Sequence, residues 1–209
     1  GLEWQPQEGK TIQWENWVDT GAIDYGEPII GGPTQLVFDY FFGIAGSLDM
    51  PPYCFIENDR TVGIPTEEKS PYNAQQKRGT MTPGWRDEEV DITFAQKAVA
   101  YIEEQEHSDR PFFLYLSFNA VHTPIEAKSE VVERYGRKIR PDAEHRNATY
   151  AGMVHSLDEN VGRVRETGQF ETCLEVLAGF EDEDLETVAR LIRTLAMGRA
   201  ARVVAVPEG

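Results

Sequence analysis

Hydrophobic residues are most concentrated at positions 112–118, where seven consecutive residues include one clearly polar side chain, Ser117. A run of this length, rich in aromatics and free of internal Gly or Pro, predicts a strand buried on both faces of a parallel sheet. The polarity changes directly afterwards, at Asn119, His122 and Thr123. Ligands of open α/β sheets bind beyond the carboxyl ends of the strands, so His122 is predicted to lie in a functional pocket.

Amphipathic helices are predicted on both sides of this strand. Asp91 is a predicted N-cap, and apolar residues recur after it at helical spacing, at Ile92, Ala95, Ala98, Val99 and Ile102. A second stripe follows from about Asn147 and consists of Tyr150, Met153, Val154, Leu157, Val161 and Val164. Helix, strand, loop and helix in this order predict an α/β fold with a mostly parallel sheet flanked by helices.

The first ninety residues are rich in loop-forming residues. An aromatic cluster at 37–44 is too dense to be exposed, and it is followed by residues 47–53, which include paired prolines. Such a pair cannot continue a helix or a central strand. We therefore expect an ordered, pocket-building loop at 47–53, and a short strand at 54–57, where apolar and polar residues alternate.

Composition limits the classes of partner. The formal net charge is −16, from 20 basic and 36 acidic residues, which argues against nucleic acid because its phosphates would be repelled. No apolar run reaches the ~18 residues that a membrane helix needs, and residues 1–10 do not form a signal peptide. Cys54 and Cys173 form no Cys-x-x-Cys pair, so we expect two buried or half-buried thiols, not a disulfide framework or a zinc site.

Six ordered blocks carry a resemblance to a known family. They lie at residues 38–44, 47–53, 83–85, 111–115, 122–124 and 150–164. In this order they resemble the central part of a type I, formylglycine-dependent sulfatase (arylsulfatase), and the similarity covers about residues 1–164. The resemblance implies an alkaline-phosphatase-like α/β core, incomplete in this chain, and hydrolysis of sulfuric esters. The block Ser-Leu-Asp-Met-Pro-Pro-Tyr at 47–53 is similar to bacterial sulfatases that act on sulfated carbohydrates.

The resemblance also implies roles for three residues. His122 matches the family's histidine that contacts the sulfate ester and helps the leaving oxygen; the alternative is a loop histidine satisfied by a backbone carbonyl. Lys128, six residues on, is a candidate for binding the same anion, and its alternative is a solvated surface lysine. Asp49 is a candidate for reading a sugar hydroxyl, but capping the Pro-Pro turn is an equally good explanation.

The motifs that hold the cofactors of the complete enzyme are missing from this sequence. The family's Cys/Ser-x-Pro-x-Arg motif supplies formylglycine, and neither Cys54 nor Cys173 is followed by that pattern. The paired aspartates and the Asp-Asn-Gly motif that bind Ca²⁺ are also absent, so we assign no metal ligand. We therefore expect this chain to be inactive alone. The parent enzyme would be periplasmic or extracellular and would act on a sulfated carbohydrate or an aryl sulfate.

The sequence divides into two parts. Residues 1–164 are predicted to be the central part of a sulfatase catalytic domain, and 165–209 a divergent, helical tail. An amphipathic pattern at 185–195 predicts a helix, and residues 202–206 fit a short strand. Three explanations of residues 165–209 stay open: a fused or unrelated segment, a reading-frame shift after Val164, and a regulatory or oligomerisation tail.

Two alternative functions stay open on the sequence alone. A phosphatase or phosphodiesterase of the same superfamily would keep the sheet and exchange the nucleophile and metals. A non-catalytic module that binds sulfated glycans, or a truncated gene product, would have no activity. The oligomeric state is not indicated by any pattern in the sequence.

Overall fold

A computed structural model describes residues 2–13, 19–71, 76–108, 112–140 and 146–167, and the backbone of residues 202–207. In chain order, its strands and helices are β1 Tyr40–Ile44, β2 Phe55–Glu57, β3 Arg60–Thr61, β4 Glu67–Lys69, β5 Gly79–Met81, α1 Val90–Gln105, β6 Phe112–Leu116, α2 Ser129–Gly136, α3 Ala148–Glu166 and β7 Arg202–Pro207. Short 3-10 turns lie at Thr20–Ala22, Pro33–Gln35 and Asp87–Glu89.

The prediction of a mostly parallel sheet is wrong for the described strands. Five of them form one sheet in the order β3-β2-β1-β7-β6, and every ladder in it is antiparallel. β7 lies between β1 and β6 and pairs with each of them in the antiparallel direction. β1 and β6 therefore point in the same direction, but no hydrogen bonds join them as a parallel pair. β4 and β5 form a separate antiparallel pair.

The apolar run at 112–118 forms a strand as predicted, but not a central strand buried on both faces. β6 lies at the end of the described sheet order, and all five of its residues are half-buried. Its alternate residues Phe112, Leu114 and Leu116 pack against one core cluster, and Tyr115 packs against the other. Contact on both faces explains the continuous apolar sequence, and the edge position explains the incomplete burial.

The core consists of two layers on opposite faces of the sheet. Phe42 and Ile44 of β1 pack with α1, whereas Phe41 between them packs with a layer built from the N-terminal loops. The buried residues of that loop layer are Trp4, Ile23, Tyr25, Ile29, Phe38, Cys54 and Ile56. Because side chains alternate along a strand, the aromatic cluster around β1 supplies both layers at once.

α1 confirms the helix predicted after residue 90. Its fully buried face includes Phe94, Ala98 and Ile102, which pack on the sheet. The prediction that Asp91 is the N-cap is wrong, because Glu89 occupies the cap position and Asp91 lies within the first turn. The carboxylate of Asp91 is therefore available for contacts outside its own helix.

α3 confirms the second predicted helix, and Met153 and Val164 of the predicted stripe are buried, but three other residues of that stripe are exposed. Asn147 is the N-cap, and its Oδ1 accepts a hydrogen bond of 2.9 Å from the N–H of Tyr150. The close packing is at Gly152, where a Cβ would come within 3.0 Å of Ala127. This approach centres the buried face on Gly152, Met153, Asn160 and Val164 and leaves Tyr150, Val154 and Val161 exposed.

The loop at 47–53 is ordered and packed, as predicted. Tyr53 is buried, and its N–H donates to the carbonyl oxygen of Thr80 over 2.8 Å. Gly79 allows the close approach of this loop, since a Cβ at that position would lie 2.2 Å from the Cβ of Pro51. β2 Phe55–Glu57 confirms the short strand predicted at 54–57.

The remaining expectations concern the cysteines and the tail. Cys54 is a free and buried thiol, as predicted, and burial raises its pKa to about 12. β7 confirms the short strand predicted at 202–206. The helix predicted at 185–195 and Cys173 lie outside the described residues. Within the described ranges, no helix combines the length and apolar character that crossing a bilayer requires.

Candidate functional site

The loop between β6 and α2 (residues 117–128) is held near its start by Asp91 of α1. Asp91 Oδ1 accepts the N–H of Asn119 over 2.7 Å, and Oδ2 accepts the N–H of Ala120 over 2.8 Å. The N–H of His122 in turn donates to the carbonyl oxygen of Asn119 over 2.8 Å. Burial raises the pKa of Asp91, and the two backbone hydrogen bonds oppose that rise. The position of His122 is therefore tied to the first turn of α1.

His122 is exposed in this loop. Its Nδ1 forms a hydrogen bond with the carbonyl oxygen of Thr123. Because a carbonyl oxygen only accepts, Nδ1 carries the proton, and Nε2 is the nitrogen left for other partners. This contact is of the kind expected for a loop histidine satisfied by the backbone. It also fixes the ring while Nε2 has no hydrogen-bond partner in the described part of the chain.

Lys128 ends the same loop. Its Nζ lies 3.5 Å from Glu89 Oε1, and both side chains are partly exposed. An ion pair of this kind contributes little stability, so the ammonium group can exchange its partner for another anion. The pair also joins the end of the loop to the cap residue of α1.

Asp49 lies in the turn at 47–50, where its carboxylate accepts a hydrogen bond from the hydroxyl of Ser47. The backbone N–H of Met50 closes this turn on the carbonyl oxygen of Ser47 over 3.0 Å. Asp49 thus has a partner within its own turn. Among the described residues, no hydrogen bond or ion pair joins Asp49, His122 and Lys128 to one another.

The loops that carry Asp49 and His122 meet at a small cavity. Its lining includes Leu48 from one loop and Glu126 from the other, together with Asp91 and Asn160. Both Glu126 Oε1 and Asn160 Nδ2 are buried and have no hydrogen-bond partner among the described residues. The cavity volume is about 20 Å³, enough for about one water molecule and too small for a sugar ring. A substrate must therefore lie outside this cavity.

A buried ion pair beside the cavity was not predicted from the sequence. Lys69 pairs with both carboxylate oxygens of Asp87, which also accept 2.7 Å hydrogen bonds from Trp85 Nε1 and Gln76 Nε2. The Lys69 ammonium lies 4.2 Å from the centroid of the Tyr53 ring. Burial lowers the pKa of Lys69, and Asp87 opposes the change. The polar sequence around Lys69 has no periodicity that marks a buried charge.

The carboxylates around the cavity do not form a calcium site. Lys69 neutralises Asp87, and the two backbone N–H groups occupy Asp91. In the parts of the chain that the structure describes, no three His, Cys, Asp or Glu side chains come together as metal ligands. A calcium ion needs about six to eight oxygen ligands, so the Ca²⁺ implied by the resemblance does not fit these residues.

Comparisons with known proteins cover most of the chain. The family model described as Sulfatase matches residues 14–171. An N-acetylgalactosamine-6-O-sulfatase of Bacteroides thetaiotaomicron is 25% identical over an alignment of 183 residues. The match covers 70% of this chain and 34% of the relative. A sulfatase of Formosa agariphila is 41% identical over 66 residues, or 32% of this chain and 12% of the relative. The chain thus spans about a third or less of these relatives. No solved structure matches it.

The first prediction tests the Asp91 anchor. Asp91→Ala leaves two partly buried N–H groups without an acceptor, so we expect a loss of about 2–4 kcal/mol in the free energy of unfolding. Amide exchange at Asn119 and Ala120 should accelerate by at least about tenfold in NMR hydrogen-exchange measurements. Asp158→Ala, at an exposed position of α3, is the control and should change neither quantity. Unchanged exchange at the two loop amides would contradict the anchor.

A second prediction concerns the acidity of Glu126. Burial raises its pKa, and the nearby Lys69 opposes the rise. A carboxyl whose folded-state pKa lies above its unfolded value adds stability below its ordinary pKa and loses it as the pH rises through the folded-state pKa. Glu126→Gln should therefore raise the Tm at pH 7 by about 2–4 °C, and the gain should vanish below about pH 4.3.

Thermal melts across this pH range, with Glu103→Gln on the exposed side of α1 as the control, provide the measurement. A gain for Glu126→Gln that is the same at all pH values would show that removing the charge is not its cause.

Proposed function

The chain belongs to the sulfatase family, and from that premise we propose that residues 1–164 form the central part of an enzyme that hydrolyses a sulfate ester of a carbohydrate. The observation that carries the proposal is the family match across the loop that bears His122, which Asp91 and Glu89 tie to α1. The printed name of the Bacteroides relative, an N-acetylgalactosamine-6-O-sulfatase, supports a sulfated carbohydrate as the substrate.

In this proposal His122 acts on the leaving group. Sulfate transfer places negative charge on the bridging oxygen and the peripheral oxygens of the group, so positioned donors stabilise the transition state. The hydrogen bond from Nδ1 to Thr123 leaves Nε2 to meet the ester. When Nε2 is protonated, it donates to the bridging oxygen. It transfers its proton to that oxygen as the S–O bond breaks and the sulfur bonds to the nucleophile that the complete enzyme would supply. The alcohol then leaves as a neutral molecule.

Lys128 and Asp49 have accessory roles in the proposal. The ammonium group of Lys128 attracts the sulfate oxygens in exchange for its exposed partner Glu89. The carboxylate of Asp49 accepts a hydrogen bond from a sugar hydroxyl, in addition to the one from Ser47. Leu48 and Glu126, from the two loops that carry Asp49 and Lys128, both line the small cavity, which supports assigning the two side chains to one site.

Formylglycine and Ca²⁺ belong to the complete family enzyme in this proposal, and no described residue is assigned to hold either. The nucleophilic step is therefore outside the chemistry of these residues, which bind and protonate. We place the parent enzyme in the periplasm or outside the cell, where sulfated polysaccharides are accessible. Hydrolysis of a phosphate ester by a phosphatase of the same superfamily is the alternative reaction, but the Bacteroides and Formosa relatives are named as sulfatases.

The experiment for His122 uses a complete enzyme. Residues 14–164 would replace the matching segment of the Bacteroides relative, and sulfate release from an aryl sulfate would be followed. His122→Ala should lower kcat by about ten- to a thousandfold, the range for losing one positioned proton donor. His107→Ala, which changes an exposed histidine before β6, should leave kcat unchanged. Equal turnover in the His122→Ala and unsubstituted chimeras would make His122 a structural residue.

A further prediction concerns the chain by itself. The sequence has no Cys/Ser-x-Pro-x-Arg motif, and groups that act as a unit lose nearly all activity when one is removed. We therefore expect purified 1–209 to release no sulfate from an aryl sulfate, and its Tm not to rise with millimolar Ca²⁺. Turnover that EDTA abolishes would contradict this expectation and place a complete active site within the chain.

A further inference from the structure

A groove between α2 and α3 is much larger than the cavity beside the His122 loop. Its volume is about 470 Å³, within the range of about 300–1,000 Å³ for sites that hold small organic ligands. Lys128 is part of its lining, so the groove begins where the His122 loop ends. Asn160 lines both the groove and the small cavity, which places the two side by side.

The charge of the groove is opposite to that of the protein. Four basic side chains line it, Lys128, Arg134, Arg137 and Arg163, against two acidic ones, Glu130 and Glu159. The lining residues therefore carry a formal charge of +2, from four positive and two negative groups, in a chain of net charge −16. Glu89 and Glu133, which lie outside the lining, pair with Lys128 and Arg137 through exposed contacts. An excess of one sign in a concave surface focuses the field and attracts ligands of the other sign.

The basic groups of the groove are available to a ligand. The guanidinium of Arg137 lies 3.7 Å from Glu133, and both side chains are more than two-thirds exposed, so this ion pair is weak. Arg134 contacts the ring nitrogen Nε2 of His155, which leaves its other N–H groups for further acceptors. Arg163 has an exposed side chain in the last turn of α3.

Arg134 and Arg163 are the donors that a ligand can reach. Asn160 borders both the groove and the small cavity, but the residue is 1% exposed and its amide does not reach a ligand in the groove. Arginine groups pair with planar or tetrahedral oxyanions through two parallel hydrogen bonds. The guanidinium groups thus offer complementary donors to a sulfate or carboxylate group.

We propose that the groove between α2 and α3 binds an acidic sugar unit of a sulfated glycan, adjacent to the unit whose ester His122 contacts. This inference rests on the proposed function and narrows its substrate class from any sulfated carbohydrate to a polyanionic chain. A sulfate ester or carboxylate on the neighbouring sugar accepts hydrogen bonds from Arg134 and Arg163. An aryl sulfate or a single sulfated sugar leaves the groove empty.

The test measures binding to the full 209-residue chain. The probe is a fluorescently labelled tetrasaccharide of chondroitin 6-sulfate, followed by anisotropy. Arg134→Gln and Arg163→Gln should each raise the Kd about three- to tenfold, as expected for losing one charge-assisted contact. Arg165→Gln is the matched control, because it removes the same charge from the same turn of α3 at a position outside the groove lining. It should change the Kd less than about twofold.

Three results would overturn the proposal. The first is an equal loss of affinity in Arg163→Gln and Arg165→Gln, which indicates attraction by net charge alone. The second is equal binding of the same tetrasaccharide without sulfate, or no binding at all. The third is tighter binding of a single-stranded DNA of equal charge with the same dependence on Arg163, which assigns the groove to nucleic acid. Circular dichroism of each variant confirms that these surface substitutions leave the fold intact.

The binding assay separates this proposal from the proposed reaction, because it requires no turnover. Arginine-dependent binding without sulfate release in the chimera would support the groove as a glycan site and contradict the proposed hydrolysis. Sulfate release without arginine-dependent binding would support the proposed hydrolysis and contradict the groove as a glycan site.

Discussion

The carboxylate of Asp91 satisfies two backbone N–H groups in the loop that follows β6, and the geometry of the candidate site depends on this contact. Backbone groups that leave a strand lose their ladder partners, and a partly buried loop must find replacements. Asp91 supplies both acceptors from the first turn of α1, where the helix dipole also favours a negative charge. Phe94 and Ala98 fix that helix on the sheet, so core packing determines where the loop lies.

The first turn of α1 holds the loop at both ends. Asp91 binds its start at Asn119 and Ala120, whereas Glu89 pairs with its last residue, Lys128. The two contacts differ in strength, because the first uses half-buried backbone hydrogen bonds and the second an exposed ion pair. The start of the loop is therefore rigid, and its end can exchange a partner. This combination suits a site in which His122 is held in position and Lys128 is able to attract an anion.

Periodicity in the sequence correctly predicted α1, α3, β6 and the strand at 202–206, because each pattern reflects burial along a single element. The direction of the sheet was wrong because strand pairing is not local. No residue of β1 or β6 encodes that β7 lies between them. The role of Asp91 was missed for a similar reason. A carboxylate near a helix start is usually a cap, and its actual partners come 28 and 29 residues later.

The buried face of α3 illustrates how one small residue redirects packing. The stripe of Tyr150, Val154 and Val161 has helical spacing, yet these three side chains are exposed. Gly152 lets the Ala127 region approach closely, and this contact rotates the buried face towards Asn160. A buried amide near the groove is thus a consequence of backbone proximity at a glycine eight residues away. The close packing of α2 against α3 has the same origin, since a Cβ at Gly152 would also lie 3.5 Å from Val131 of α2.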